Sequence, residues 1–394
     1  MKFEFDKLIN RYNIGNLKDI TLLDNIRKAG MISFASAEMD FKTAPCVIEA
    51  VVRRAKNGLF GYTLQDKQYN DAIVWWFKTV RGWDIDSSWI VPTLGTIKSV
   101  ATAIRLTTKE GEGIIVQPPV YYRYEQAATR NNRKMVYNPL IYDNGKYRID
   151  FDNLEKCMAD PNNKLLVICN PHNPISKVWP KEDLERIAYL SKKYEVVVFS
   201  DEIFAEIVFD NNKVVPYASI EEGQEFAITS TSLGKSFNFT GVNNANLIIP
   251  NKKLREAFVK QRDADHYGSI DPLVHAATLA AYTEDGLEWL SSMVSYVHDN
   301  IKYINKFFSE NIKKAKIVPT EGTFVIWIDW RGLNIPDERL YEVLEQKALL
   351  QLEHGDEYGK EGAGFSRMSI ATPRSYIVKA LENLKAALEE EKLI

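Results

Sequence analysis

Cysteine is scarce in this chain. The 394 residues contain three, Cys46, Cys157 and Cys169, an odd number with no Cys-x-x-Cys spacing. A disulfide framework and a zinc site are therefore not indicated, no metal is expected, and a reducing cytoplasm suits the pattern. Long apolar runs are missing as well. Met1 to Lys7 mixes charge with aromatics instead of forming a signal core, and no uninterrupted stretch is long enough to span a bilayer. The expectation is a cytosolic chain with no targeting segment and no membrane partner. An excess of one charge is the third absence: 50 Lys and Arg stand against 53 Asp and Glu, a net charge of -3, so nucleic acid is not an expected partner either. A small molecule is the expected one.

What is present is ordinary for a globular enzyme, with 45% hydrophobic and 26% charged residues. The length exceeds one ordinary core, which favours two domains or a large α/β domain with an appendage. Short β-branched runs without polar alternation occur at Ile90 to Thr93, Gly113 to Pro118, Lys164 to Cys169, Val196 to Phe199 and Phe226 to Thr229, with helical spacing between most of them. Such runs mark strands covered on both faces, so the expected fold class is α/β with a mainly parallel sheet of the seven-stranded type, covered by helices. After Asn251 the texture turns to long helices, then to a small α/β unit. No low-complexity linker separates the parts. The expected division is a large domain over 46–285 and a small domain made of 1–45 with 286–394, the first part being an arm with a short helix near Leu17 to Lys28.

In sheets of this kind ligands lie beyond the carboxyl ends of the strands. Gly95, Tyr121, Asn173, Asp201 and Lys235 all fall just past predicted strand ends. Lys235 follows the strand Phe226 to Thr229 in a loop of small residues; read alone, it is either a surface charge or a nucleophile whose amine is poorly solvated. Together the five residues make chemical sense as a site for pyridoxal 5'-phosphate. A lysine forms the imine, a carboxylate keeps the pyridine nitrogen protonated, and a helix N-terminus takes the phosphate. Each has a plainer alternative: Asp201 as a helix cap, Tyr121 and Tyr62 as packing aromatics, Asn173 as a turn residue, Arg367 as half of a structural ion pair. Gly234-Lys235-Ser236 is not a P-loop, because Thr229 stands where that motif needs glycine.

Several segments in order, Ala37 to Phe41, Leu59 to Tyr62, Pro118 to Tyr121, Cys169 to Pro174 with Trp179, Ser200 to Ile203, Lys235 to Asn238 and Gly364 to Arg367, carry a resemblance. The chain resembles the aspartate aminotransferase superfamily of fold type I pyridoxal-phosphate enzymes, and within it the MalY/PatB-like cystathionine β-lyase branch. The resemblance implies that Lys235 is the Schiff-base lysine and proton shuttle, that Asp201 pairs with the pyridinium nitrogen, that Asn173 donates to the phenolate oxygen and that Tyr121 stacks on the ring. It also implies a phosphate cradle of Gly95, Thr96 and Ile97 with the Ser232 hydroxyl. Tyr62 would reach the phosphate of a neighbouring subunit, making a homodimer with shared active sites, and Arg367 would clamp the substrate carboxylate, helped by Asn173. His172 and Trp179 are assigned to structure.

Five positions depart from the pattern. Phe204 stands where the branch has histidine, Ser176 replaces a glycine, Glu38 an aspartate, and Gly234 a serine, where it is expected to lend the lysine's backbone conformational freedom. Asn243, eight residues after the lysine, stands where many aminotransferases place an arginine. The expected activity is a carbon–sulfur β-lyase acting on cystathionine, cysteine or related S-substituted cysteines. The alternatives are an aminotransferase and a regulatory binding protein with residual lyase activity.

Overall fold

A computed structural model describes residues 3–11, 14–16, 18 and 30–394. The helix expected over Leu17 to Lys28 lies, apart from Lys18, outside the described residues. In chain order the elements begin with β1 (Ile32–Ser33), α1 (Pro45–Asn57), α2 (Lys67–Arg81), β2 (Ile90–Thr93), α3 (Thr96–Thr107), β3 (Gly113–Val116), α4 (Arg123–Thr129) and β4 (Lys134–Tyr137). The hairpin β5 (Ile141–Asp143) and β6 (Lys146–Arg148) precedes α5 (Phe151–Ala159), β7 (Asn163–Cys169), α6 (Lys181–Tyr194), β8 (Val197–Asp201), β9 (Ala227–Thr231), α7 (Leu233–Ser236) and β10 (Ala245–Ile248). Next come α8 (Lys252–Ala264), α9 (Pro272–Ala281), α10 (Glu284–Asn311), β11 (Lys316–Ile317), β12 (Val325–Asp329), α11 (Asp337–Glu342), β13 (Leu350–Gln351), β14 (Glu353–His354), β15 (Phe365–Ser369) and α12 (Arg374–Glu390).

The sheet that organises the molecule has seven strands in the order β2-β10-β9-β8-β7-β3-β4. Pairings among β9, β8, β7, β3 and β4 are parallel, while β10 runs antiparallel to both neighbours. The expected mainly parallel sheet is therefore present, with one reversed strand that Ala245-Asn-Leu-Ile248 was too short to announce. Both faces are covered, as the near-continuous burial of β3, β7, β8 and β9 requires. A second, antiparallel sheet, β11-β12-β15-β14, sits in the C-terminal part. The chain's beginning joins that part: β1 pairs in parallel with β13, Ile32 opposite Leu350.

Local signals account for the helix starts that matter to the site. Pro45 opens α1 and Gly58, in the left-handed region, closes it. Asp66 caps α2 by accepting from the Tyr69 N–H at 2.8 Å. α10, 28 residues long, is capped by Thr283 and buries one stripe that includes Trp289, Met293, Val297 and Ile304. Among the described residues no helix is long and apolar enough to cross a membrane.

Candidate active site

The strand ends converge as expected. Asp201 closes β8 and is buried; its Oδ2 accepts from the Tyr124 hydroxyl at 2.6 Å and its Oδ1 from the Ile203 N–H at 3.2 Å. Burial pushes the carboxyl up to about 6, against the pull of these donors and of Lys235. Lys235 stands on α7, directly after β9, partly buried, with Nζ donating to the Ala37 carbonyl at 2.7 Å. Burial and, next, the neighbouring Arg367 cation lower its amine to about 8, with Glu38, Asp201 and Glu353 opposing them. A neutral, nucleophilic amine is thus accessible near neutral pH, as a Schiff-base lysine requires.

Two motifs far apart in the sequence interlock here. Asn238 adopts a left-handed backbone, donates from Nδ2 to the carbonyls of Met39 (3.1 Å) and Phe41 (2.7 Å), and accepts from the Met39 N–H (3.2 Å). With the Lys235–Ala37 bond, this clasps Ala37 to Phe41 onto the lysine loop. Glu38 in that segment takes the Ser36 hydroxyl at 3.1 Å and Arg11 at 3.6 Å.

Asn173 is buried and accepts from Arg367 Nη1 at 2.8 Å, which leaves its own Nδ2 available as a donor. Arg367, on β15, is buried and also ion-paired: Nε donates to Glu353 Oε2 at 2.6 Å and Nη2 bonds the same oxygen. The structural ion pair considered for Arg367 is real, and sequence reasoning overlooked Glu353. Tyr121 lies beside the site, edge-on to Tyr124 with ring centroids 5.7 Å apart, its hydroxyl raised to about 12 by burial.

At the same carboxyl end of the sheet, Gly95 precedes α3 with φ 113°, a backbone that strains any residue with a Cβ, and the space a Cβ would take is open. The N–H groups of Thr96 and Ile97 lie in the first turn of α3. The Thr96 hydroxyl bonds Ser230 at 3.0 Å. Ser232 is differently occupied: its hydroxyl meets the Asn244 carbonyl (2.8 Å) and Oδ1 (3.0 Å) and caps α7 by accepting from the Gly234 N–H (3.0 Å). The open cradle at Gly95, the helix N-terminus, the spare donor on Asn173 and the buried carboxyl of Asp201 fit pyridoxal phosphate in charge and hydrogen-bonding sense. Tyr62 is not brought to this site; its side chain is fully exposed, 101%.

Several expectations are refined by the geometry. Gly234 does not use unusual backbone freedom, since its φ is not positive; it provides room, because a Cβ there would lie 3.2 Å from the capping Ser232 Oγ. Ser176 has φ 57° and holds that backbone with Oγ bonds to the Val325 carbonyl (2.6 Å) and Thr323 (3.0 Å). Phe204 is buried against Phe324, with its ring centroid 5.6 Å from Lys235 Nζ. Asn243 is exposed and its neighbour Asn244 makes the contact with Ser232. His172 and Trp179 are buried and edge-on to each other, as structural residues.

Sequence reasoning also missed the support beneath the site. Arg81, at the end of α2, reaches Glu202 at 2.8 Å and Glu206 at 2.9 Å, all three buried. Glu206 in turn accepts from the Ser236 hydroxyl at 2.7 Å and the Trp76 indole at 3.1 Å. The residues following Asp201 and Lys235 are thereby tied to one arginine. Tyr124 was detectable, three residues after Tyr121 on a helix that faces the sheet; Arg81 carried no local signal.

The sequence profile described as aminotransferase class I and II matches residues 29–384. The chain belongs to the aminotransferase class I and II family. Among relatives, cystathionine beta-lyase PatB of Bacillus subtilis (strain 168) is 31% identical over 353 residues, covering 89% of this chain and 91% of PatB. Protein MalY of Escherichia coli (strain K12) is 31% identical over 388 residues, covering 98% and 99%. The crystal structure of cystalysin from Treponema denticola, which contains a pyridoxal 5'-phosphate cofactor, superposes with a TM-score of 0.95 at 33% identity, covering 99% of this chain and 100% of that one. The fold is the type I fold of pyridoxal-phosphate transferases, and family membership makes a small molecule the substrate.

Proposed function

We propose that this family member is a pyridoxal-phosphate-dependent carbon–sulfur β-lyase that converts cystathionine, cysteine or a related S-substituted cysteine to a thiol, pyruvate and ammonia. The observation that carries the reading is Lys235, an amine lowered to about 8 beside the buried Asp201 and the Arg367–Asn173 pair. The relatives named as cystathionine β-lyases point the same way. When bound, the cofactor supplies an electron sink at the substrate's Cα. Asp201 would hold the charge that keeps this sink protonated, Asn173 Nδ2 would serve as the donor to the cofactor's ring oxygen, and Tyr121 would supply an aromatic face beside the ring.

The N–H groups at Gly95, Thr96 and Ile97 would receive the phosphate, and Ser232 would add its hydroxyl by giving up its bond to Asn244. Arg367 orients the substrate carboxylate. Lys235 Nζ, free once the substrate amine has taken its place, would remove the Cα proton and pass it to the sulfur, which leaves Cβ with both bonding electrons, and one water would complete the conversion of the three-carbon remainder to pyruvate and ammonia. Phe204 places an apolar ring where a hydrogen-bonding side chain would compete for Lys235.

The same proposal includes a homodimer. Ile48, Val52, Leu59, Phe60, Tyr62 and Leu64 are exposed apolar residues concentrated in α1 and the segment after it, a surface suited to a second copy that would receive Tyr62 in its phosphate site. The division at 46–285 against 1–45 with 286–394 is supported by the β1–β13 pairing. A cytoplasmic location is supported by three unpaired cysteines.

The test is incubation of the purified protein with cystathionine, cysteine and alanine, with and without 2-oxoglutarate, followed by measurement of pyruvate and thiol. Release of both without an acceptor is the expected result. Product formation that depends strictly on the 2-oxo acid makes the protein an aminotransferase and overturns the lyase reading.

A further inference from the structure

Glu353 has no part in the lyase scheme, yet it is ion-paired with Arg367 inside the site. It lies directly opposite Arg367 across the antiparallel pair β14–β15, so the two side chains share one face. A single carboxylate oxygen, Oε2, accepts from both Nε and Nη2 of Arg367. A planar guanidinium admits this only if that oxygen sits on the Nε/Nη2 edge. The Nη1/Nη2 edge then remains, with Asn173 on Nη1.

Glu353 does not block the arginine; it limits it to one edge and cancels its charge. The other groups facing this corner are Lys235, Glu38, Asp201, Glu357 and the hydroxyls of Tyr121 and Tyr358. The second buried arginine close to the site, Arg81, is consumed by Glu202 and Glu206. Once Lys235 is neutral, Arg367 is the buried cation of this corner, Arg123 beside Tyr121 being exposed, and a carboxylate already faces Arg367.

We propose that Glu353 is a specificity-determining counter-ion. It confines Arg367 to a single substrate carboxylate and turns away amino acids whose side chain carries a second, uncompensated carboxylate beyond Cβ, favouring leaving chains that are uncharged, zwitterionic as in cystathionine, or cationic. The inference rests on Arg367 receiving the substrate carboxylate.

The test uses the cofactor-loaded full chain and two unreactive probes, propionate and succinate, titrated by their perturbation of the cofactor's absorption. The wild type is expected to bind propionate more tightly than succinate. Glu353→Gln is expected to gain about tenfold or more for succinate relative to propionate, the scale of removing one like charge a few ångströms away. Glu353→Asp, which keeps the charge, is expected to retain the wild-type preference. An equal change for both probes in Glu353→Gln, or the same relative gain in Glu353→Asp, overturns the proposal and leaves Glu353 a structural partner only. Arg367→Gln is expected to lose both probes, and its retaining propionate would overturn the carboxylate role of Arg367 itself. The lyase reading stands or falls separately on pyruvate release, which these titrations do not involve.

Discussion

Lys235 owes its reactivity to a balance of burial, the Arg367 cation and three opposing carboxylates, Glu38, Asp201 and Glu353. Its folded value near 8 lies below the 10.5 of an ordinary lysine. Between those two values the unfolded chain holds a proton that the folded chain has released, so this group's contribution to apoprotein stability rises with pH across that window. The rate at which apoprotein captures pyridoxal phosphate should likewise rise with pH around a midpoint near 8, measured by the growth of absorbance. Lys235→Ala should abolish that absorbance and lower pyruvate formation by about 10²–10⁴-fold or more. Tyr124→Phe removes the 2.6 Å donor to Asp201. The cost should be about 1.5–3 kcal/mol, as for hydrogen bonds to charged groups, read by urea denaturation of the apoprotein. Since the Tyr124 bond lowers the Asp201 pKa, its loss should also push the carboxyl further up.

At the scale of elements, the site depends on α2 being locked under two strand ends. Arg81→Ala would leave Glu202 and Glu206 buried without their cation, and breaking such a buried pair costs about 3–5 kcal/mol. The loss should grow with pH. Burial already raises Glu202 to about 7, from 4.5, and without Arg81 its ionisation above that range becomes less favourable still. Denaturation midpoints at pH 5 and pH 8 check this, the larger deficit being expected at pH 8. The turn after Asn173 shows how serine is accommodated where the resemblance leads one to expect glycine. Ser176 takes a left-handed backbone, and its Oγ anchors it to β12. Ser176→Gly should relieve the backbone and lose the buried hydrogen bond, for a net destabilisation of about 1 kcal/mol or less by thermal melting.

At the scale of the whole molecule, the exposed apolar stretch from Ile48 to Leu64 is the feature that a single chain leaves unexplained. Sedimentation should report twice the chain mass, and Phe60→Glu should shift the population toward single chains. Tyr62→Ala should leave the mass unchanged while weakening retention of pyridoxal phosphate on dilution, as expected if the residue serves a neighbouring site.

The sequence alone determined five of the seven strands of the large sheet, those near Ile90, Gly113, Lys164, Val196 and Phe226, and the strand-end positions of Gly95, Tyr121, Asn173, Asp201 and Lys235. Periodicity, strand composition and motif order are local properties, readable without folding the chain. Short elements such as β10 and β14 left too few residues for a pattern. Only the tertiary structure decided the rest: that Asn238 clasps Ala37 to Phe41, that Arg81 unites Glu202 with Glu206, and that Glu353 faces Arg367. Those pairs form between elements far apart in the sequence, where register and burial choose the partner and no local pattern can name it.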